Sequence, residues 1–197
     1  IVGVGNVGSK VESACKKLGM QVLLNDPPRE EREGNADHMF VDLETIKNES
    51  DIITLHTPLT KTGKHKTWHL VDEDFFNELD KKPILINSCR GSVTDTQAWK
   101  KAIKKGLVSG SVIDCWENEP HIDTELLEMA DIATPHVAGY SADGKWTATK
   151  MTLENLCDFF HVDIDPVKLM PPVPPPPKQN IDLKGVSPEK QTLCAVL

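Results

Sequence analysis

Three side chains capable of acid–base and anion chemistry each follow a short apolar run in this chain. Arg90 follows Ile84 to Asn87, Glu119 lies just past Val112 to Asp114, and His136 follows Asp131 to Thr134. A guanidinium offers a planar fork that holds a carboxylate through paired hydrogen bonds. An imidazole can take or give a proton near neutrality, and a carboxylate beside it orients the ring and raises its basicity. Oxidising a 2-hydroxy acid needs these three things: a cation for the acid group, a base for the hydroxyl proton and a partner for the base. Taken singly, each has a plainer reading. Arg90 could be a surface charge, Glu119 before Pro120 a helix cap, and His136 a hydrogen-bonded loop residue. Their shared location is the stronger signal, because open α/β sheets bind ligands beyond the carboxyl ends of their strands.

A second constellation lies at the start of the chain. Gly3-Val4-Gly5-Asn6-Val7-Gly8 is a G-x-G-x-x-G between an apolar strand and a helical pattern. The first glycine permits the tight turn, the second lets backbone approach a diphosphate, and the third allows close helix–strand packing. The helix N-terminus beyond them attracts negative charge. Glycine-rich turns are common, so context matters: Asp26 closes the next strand 18 residues after Gly8. A carboxylate there accepts from ribose hydroxyls and repels a 2′-phosphate, which favours NAD over NADP. Arg29 close by keeps NADP open, and Asp26 before Pro27-Pro28 also reads as a plain turn residue.

The elements that must position these groups alternate as strand and helix, the rhythm of a parallel α/β sheet. Ile1 to Val4 and Gln21 to Asn25 read as strands, with Val7, Val11, Ala14, Cys15 and Leu18 at helical spacing between them and Gly19 as the stop. Pro27 to Asp37 reads as a loop. A short helix surrounds Leu43 and Ile46, Ile52 to His56 is a strand, and Leu70 to Leu79 is helical. After the strand Ile84 to Asn87, Thr94 and Gln97 form a capping box, Ala98, Ala102 and Ile103 a buried stripe, and Gly106 the terminator. Val112 to Asp114 and Asp131 to Thr134 are strands flanking a short helix at Leu126 and Leu127, and a longer helix runs from about Ala142 to Phe160.

Composition sets limits on partners. Of 197 residues, 39% are hydrophobic and 26% charged, a globular balance. With 22 basic against 30 acidic residues, net charge -8, the chain argues against nucleic-acid or anionic-membrane partners. No apolar run approaches the roughly 18–20 residues needed to span a bilayer. The five cysteines are scattered with no C-x-x-C pair, which speaks against a disulfide framework or metal site and for a reducing cytoplasm. Half of the 14 prolines fall at Pro166, Pro171, Pro172 and Pro174 to Pro177. Such a segment favours polyproline II and reads as a linker in preference to an SH3-type ligand. Ser187-Pro188-Glu189 then starts a new helix.

Three motifs in order, Ile86-Asn87-Ser88-Cys89-Arg90-Gly91, Ile113-Asp114-Cys115-Trp116-Glu117-Asn118-Glu119-Pro120 and Thr134-Pro135-His136-Val137-Ala138-Gly139, resemble the successive signatures of the D-isomer-specific 2-hydroxyacid dehydrogenases. Order and spacing match from Ile1 to about Phe160. Cys89 and Cys115 depart from the commoner residues there, and neither position needs a thiol for the chemistry. The resemblance implies a Rossmann-type doubly wound parallel sheet with Arg90 as the substrate-binding Arg, Glu119 as the pKa-setting Glu and His136 as the proton-transferring His. It implies NAD held by Gly3, Gly5, Asn6, Val7, Gly8, Asp26, Thr57, Asp114 and Gly139. Asp26-Pro27-Pro28-Arg29 and Gly139-Tyr140-Ser141-Ala142-Asp143-Gly144-Lys145 are similar to one member that acts on a phosphorylated 2-hydroxy acid, in which the counterpart of Tyr140 contacts substrate.

The implied organisation is an NAD-binding domain over 1–162, whose late helix returns toward a substrate domain. A Pro-rich linker follows over 163–186, and 187–197 open a dimerisation domain. On that reading the chain is a fragment, inactive alone, of a cytoplasmic homodimer, and the residues holding the substrate phosphate lie upstream. Two other readings stay open: a dehydrogenase of glycerate or phosphoglycerate, and an NAD-sensing regulatory protein on the same scaffold.

Overall fold

The structure, a computed structural model, describes residues 1–34, 39–173 and 175. Cys194, the helix start at Ser187 and most of the Pro174 to Pro177 run lie outside the described residues. The chain divides into two compact units, Ile1–His136 and a second that begins at Val137.

In the first unit, strands β1 (Ile52–Leu55), β2 (Ile84–Asn87), β3 (Gly110–Ile113) and β4 (Ile132–Ala133) pair in that order, all parallel. Single parallel bridges extend the sheet past β1, from Leu55 to Val2, from Val2 to Asn25 and from Leu24 to Phe40. The spatial order is therefore Phe40, Leu24–Asn25, Val2, β1, β2, β3, β4, and chain direction across the sheet reverses beside Val2. That is the doubly wound order, and a crevice forms at such a reversal. The two N-terminal strands expected from the sequence are thus only bridges. Gly3 turns the backbone away at φ 88 directly after Val2, and a helix begins at Pro27 directly after Asp26.

Helices α1 (Asn6–Lys17), α2 (Pro27–Glu33), α3 (Leu43–Glu49), α4 (Glu73–Asn77), α5 (Thr96–Lys105) and α6 (Thr124–Met129) fill the crossovers. Helix α2 corrects the first part, Pro27–Glu33, of the loop expected from Pro27 to Asp37, whose last three residues lie outside the described residues. Asp26 caps it by accepting from Arg29 N, and the two prolines occupy first-turn positions where no N–H is needed. Helix α4 is shorter than the expected Leu70 to Leu79, because Val71 extends to pair with Thr94 and Asp72 caps the helix at Phe75 N. The cap of α5 is Asp95, which accepts from Gln97 N and Ala98 N, while Thr94 Oγ1 turns back to Gly91 O. Gly106 ends α5 in the left-handed conformation at φ 66, as its position predicts.

The core lies around Ile46, Ile53, Leu55, Phe76, Leu85, Trp99 and Ile113, all within 1% of full burial. Trp99 keeps its indole N–H satisfied there by donating to Ser111 Oγ at 3.0 Å. A smaller cluster, Ile1, Val4, Leu24 and Phe40, supports the glycine turn. The α1 stripe is only partly covered: Val11 and Cys15 are half-buried, whereas Val7, Ala14 and Leu18 are exposed. In the second unit, α7 (Ala142–Phe160) matches the bounds read from sequence, capped by Ser141 Oγ on Gly144 N. His161 closes it in the left-handed conformation, with Val162 N donating to Cys157 O.

Candidate active site

The glycine turn is built by close approach. A Cβ on Gly3 would lie 2.7 Å from the His56 carbonyl and 2.9 Å from Thr57 Cγ2, and one on Gly8 would lie 2.1 Å from Gly3 O. A Cβ on Gly5 would meet nothing within 4 Å. Gly3 and Gly8 therefore hold the first turn of α1 against the strand end, while the space at Gly5 stays open. Gly5 is also the N-cap and contributes no side-chain bond, and no acidic residue stands in the first turn of α1. Asn6 and Val7 follow it as the first helical residues. A helix N-terminus left in this state suits a diphosphate, so the residues present fit a dinucleotide.

Asp26 is drawn into this turn. Its Oδ2 accepts from Val4 N at 2.7 Å and its Oδ1 from Arg29 N at 3.0 Å. A carboxylate has about four lone-pair sites, so two remain for ribose hydroxyls. Arg29 is spent on the protein itself, donating to Val4 O at 2.8 Å and to Glu33 at 2.7 Å. That leaves less of it for a 2′-phosphate than its nearness in sequence suggests. Gly3, Asp26, Phe40, Thr57 and Thr60 line a cleft of about 870 Å³, within the range of small-molecule sites.

Arg90 is exposed on the loop after β2, in extended backbone before a single 3-10 turn at Gly91–Val93. Two residues the sequence reading left unassigned shape that loop. Asn87, fully buried, donates Nδ2 to Arg90 O at 3.1 Å and accepts at Oδ1 from Cys89 N. Gly91 lies so close to the next loop that a Cβ would stand 1.9 Å from Trp116 O. Both sit inside the quoted motif, and a polar residue ending an apolar strand was the available signal for Asn87.

Glu119 and His136 meet. His136 Nδ1 lies 2.7 Å from Glu119 Oε2, and Glu119 Oε1 accepts from Trp116 N at 2.7 Å. Burial raises the Glu119 pKa, but the Trp116 N–H and the His136 bond outweigh it and hold the carboxyl below its ordinary range. The helix cap read as an alternative for Glu119 belongs to Asp123, which accepts from Leu126 N. His136 stands at φ 54, with its N–H donating to Asp114 O at 2.8 Å. Buried Asp114 accepts from Thr134 Oγ1 at 2.6 Å, and Trp116 Nε1 donates to Thr134 O at 3.0 Å. With Nδ1 on a carboxylate, Nε2 is the nitrogen left to exchange a proton. Gly139 and Tyr140 belong to the second unit, where Tyr140 is 70% exposed and Lys145 Nζ stands 3.3 Å from its ring centroid.

The four described cysteines are free, and among the described residues no His/Cys/Asp/Glu cluster could hold a metal. Burial, then the Asp114 carboxylate, pushes the Cys115 thiol up to about 12, and burial pushes the Cys89 thiol up as well. Against an ordinary thiol near 9.0, Cys115 at pH 8 holds about a thousandth of the thiolate. Iodoacetamide at pH 8, read by peptide mass spectrometry, is expected to leave Cys89 and Cys115 unmodified in the native chain and to label both in urea.

Residues 1–138 match the family described as D-isomer specific 2-hydroxyacid dehydrogenase, NAD binding domain. The chain belongs to that family, and NAD is the cofactor of this domain. It is 54% identical over 177 residues to the erythronate-4-phosphate dehydrogenase of Bacteroides thetaiotaomicron, covering 90% of this chain and 50% of that one. To the enzyme of the same name from Porphyromonas gingivalis it is 48% identical, covering 93% and 49%. Among solved structures, the D-lactate dehydrogenase from Aquifex aeolicus complexed with NAD and lactic acid aligns with a TM-score of 0.65 at 28% identity, covering 89% of this chain and 56% of that one. The chain thus spans about half the length of the relatives it matches. Among the described residues, no helix is long and apolar enough to cross a membrane.

Proposed function

We propose that a protein carrying this chain oxidises 4-phospho-D-erythronate at its C2 hydroxyl to 2-oxo-3-hydroxy-4-phosphobutanoate, a step toward pyridoxal 5′-phosphate. The observation that carries the reading is the 2.7 Å contact between His136 Nδ1 and Glu119, on a loop in backbone contact with the one that bears Arg90. The names of the relatives supply the substrate. Arg90 holds the substrate carboxylate through its planar fork and polarises the developing ketone. His136 Nε2 takes the hydroxyl proton, and Glu119 stabilises the imidazolium that results. Bound NAD supplies the acceptor for the hydride that leaves C2. The open space at Gly5, the first turn of α1 from Asn6 to Gly8, and Asp26 would hold its diphosphate and adenosine ribose, and the family resemblance adds Thr57, Asp114 and Gly139 to the residues that would bind it.

On this reading Tyr140 contacts the substrate, and residues 1–162 act as the NAD-binding domain of a cytoplasmic homodimer. The linker over 163–186 leads to a dimerisation domain that opens at 187–197. The phosphate of the substrate is held by residues in the part of the relatives' length that this chain does not span. The test is NADH absorbance with a chain of the relatives' full length, offered 4-phospho-D-erythronate, D-glycerate and 3-phospho-D-glycerate. A kcat/KM at least about tenfold higher for the first is expected, since a site built to hydrogen-bond a group rejects analogues lacking it. Preference for either other acid moves the substrate, and NAD binding without turnover of any acid overturns the enzyme reading.

A further inference from the structure

We propose that His69 is a positioning residue that splices the Arg90 loop to the Glu119 loop, fixing the group that holds the substrate carboxylate relative to the pair that moves the proton. The inference rests on the roles proposed above for those three residues. His69 itself was not among the residues that the sequence pointed to.

Both halves of His69 are engaged. Its backbone N–H donates to Ser92 O at 2.8 Å, two residues past Arg90, and the pairing continues through Val71 N to Val93 O and Asp95 N to Val71 O. The backbone of His69 thereby belongs to the Arg90 side. Its ring reaches the other loop, where Nε2 lies 2.8 Å from Glu117 Oε1. Glu117 stands between Trp116, whose N–H bonds Glu119, and Glu119 itself. The second oxygen of Glu117 accepts from Thr96 N at 2.9 Å, so the carboxylate also grips the first residue of α5. On the far side of the ring, Nδ1 lies 3.3 Å from Asp95 Oδ2, and Asp95 caps that same helix.

The local conformation is consistent with a demanding tie. His69 sits at φ 49, a sparsely populated region for a residue with a Cβ, which persists when the surroundings determine it. Trp68 stacks on the ring with centroids 3.8 Å apart and planes 14° apart, which limits its rotation. The side chains of His69 and Glu117 are only 20% and 16% exposed. A solvated surface pair contributes little. This one is shielded and orders two loops that also touch directly, where Gly91 meets Trp116 O.

The variants His69→Gly and Glu117→Gln test the tie in a chain of the relatives' full length. The glycine relieves the backbone and deletes the ring, and the glutamine keeps an acceptor for Thr96 N while removing the charge that faces His69. Amide hydrogen exchange on the protein without ligands reads the loop directly. The Trp116 amide is expected to exchange at least about tenfold faster in His69→Gly, and less so in Glu117→Gln, with the Val2 and His56 amides unchanged. Turnover should fall by about tenfold to a hundredfold in kcat/KM for the hydroxy acid, with the Kd for NAD unchanged within about twofold. His69→Asn, which tolerates positive φ and keeps a donor, should recover part of both. Unchanged Trp116 exchange together with unchanged kcat/KM overturns the proposal, and so does a uniform acceleration across the sheet, which would mark a general stability role. If Trp116 alone is released while the parent protein turns over no hydroxy acid, the tie stands and the dehydrogenase reading fails.

Discussion

His136→Gln is expected to lower kcat by on the order of a hundredfold or more, the usual contribution of a positioned general base. Glutamine fills similar space and can bond Glu119, but it cannot carry the hydroxyl proton. The measurement is steady-state turnover in a chain of the relatives' full length, with NAD affinity determined alongside. Affinity should hold, because Asp26 bonds Val4 N and Arg29 N at the glycine turn while the His136 ring bonds Glu119. His136 stands at φ 54, where asparagine is better tolerated than glutamine, so His136→Asn controls for backbone strain. Turnover retained in both variants would remove His136 from the mechanism. The Glu119 carboxyl, held low in the fold, makes stability depend on pH in the acid range. Its pairing contributes fully above the ordinary value of 4.5 and is lost as pH falls through the lower native value.

The second large effect separates two glycines that look alike in sequence. Gly8→Ala places a Cβ 2.1 Å from Gly3 O, a backbone atom that can move only if the turn or α1 shifts. It is expected to destabilise the fold by about 1–3 kcal/mol, the range for overpacking a filled site. NAD affinity should fall with it by on the order of a hundredfold, because the displaced first turn of α1 is the proposed anion site. Gly5→Ala meets nothing within 4 Å and sits at φ -83, which alanine adopts without strain. Its thermal midpoint should stay close to that of the parent while NAD binding weakens, since the methyl fills the space that a diphosphate would use. Calorimetric titration and thermal melts of both variants read the contrast. Equal loss of stability in the two would show that the space at Gly5 is not kept for a ligand.

Much of this was legible in one dimension. Strand β2 has the bounds Ile84–Asn87 that its apolar run gave, and α7 those of Ala142–Phe160. Periodicity and terminators act locally, so a linear reading recovers them. Helix α2 escaped because a seven-residue segment carries too little periodicity, and its evidence was chemical: an Asp cap and two prolines in the first turn. The capping-box pattern points to Thr94 and Asp95 is the cap, since both are cap residues one position apart and only the pairing of Val71 with Thr94 decides between them. The family motifs brought Arg90, Glu119 and His136 forward together, where residue type alone left each with a plainer reading.

The amino-acid sequence by itself determined the alternation of elements, the glycine turn with its acidic partner and the residue types available for chemistry, because spacing and composition are properties of a line. Tertiary structure decided which of those residues touch. Glu119 reaches His136 across 17 residues, Gly91 abuts Trp116 O, and His69 reaches Glu117 across 48. Such contacts depend on which strands lie side by side and in what register, a choice made by the burial of the whole sheet.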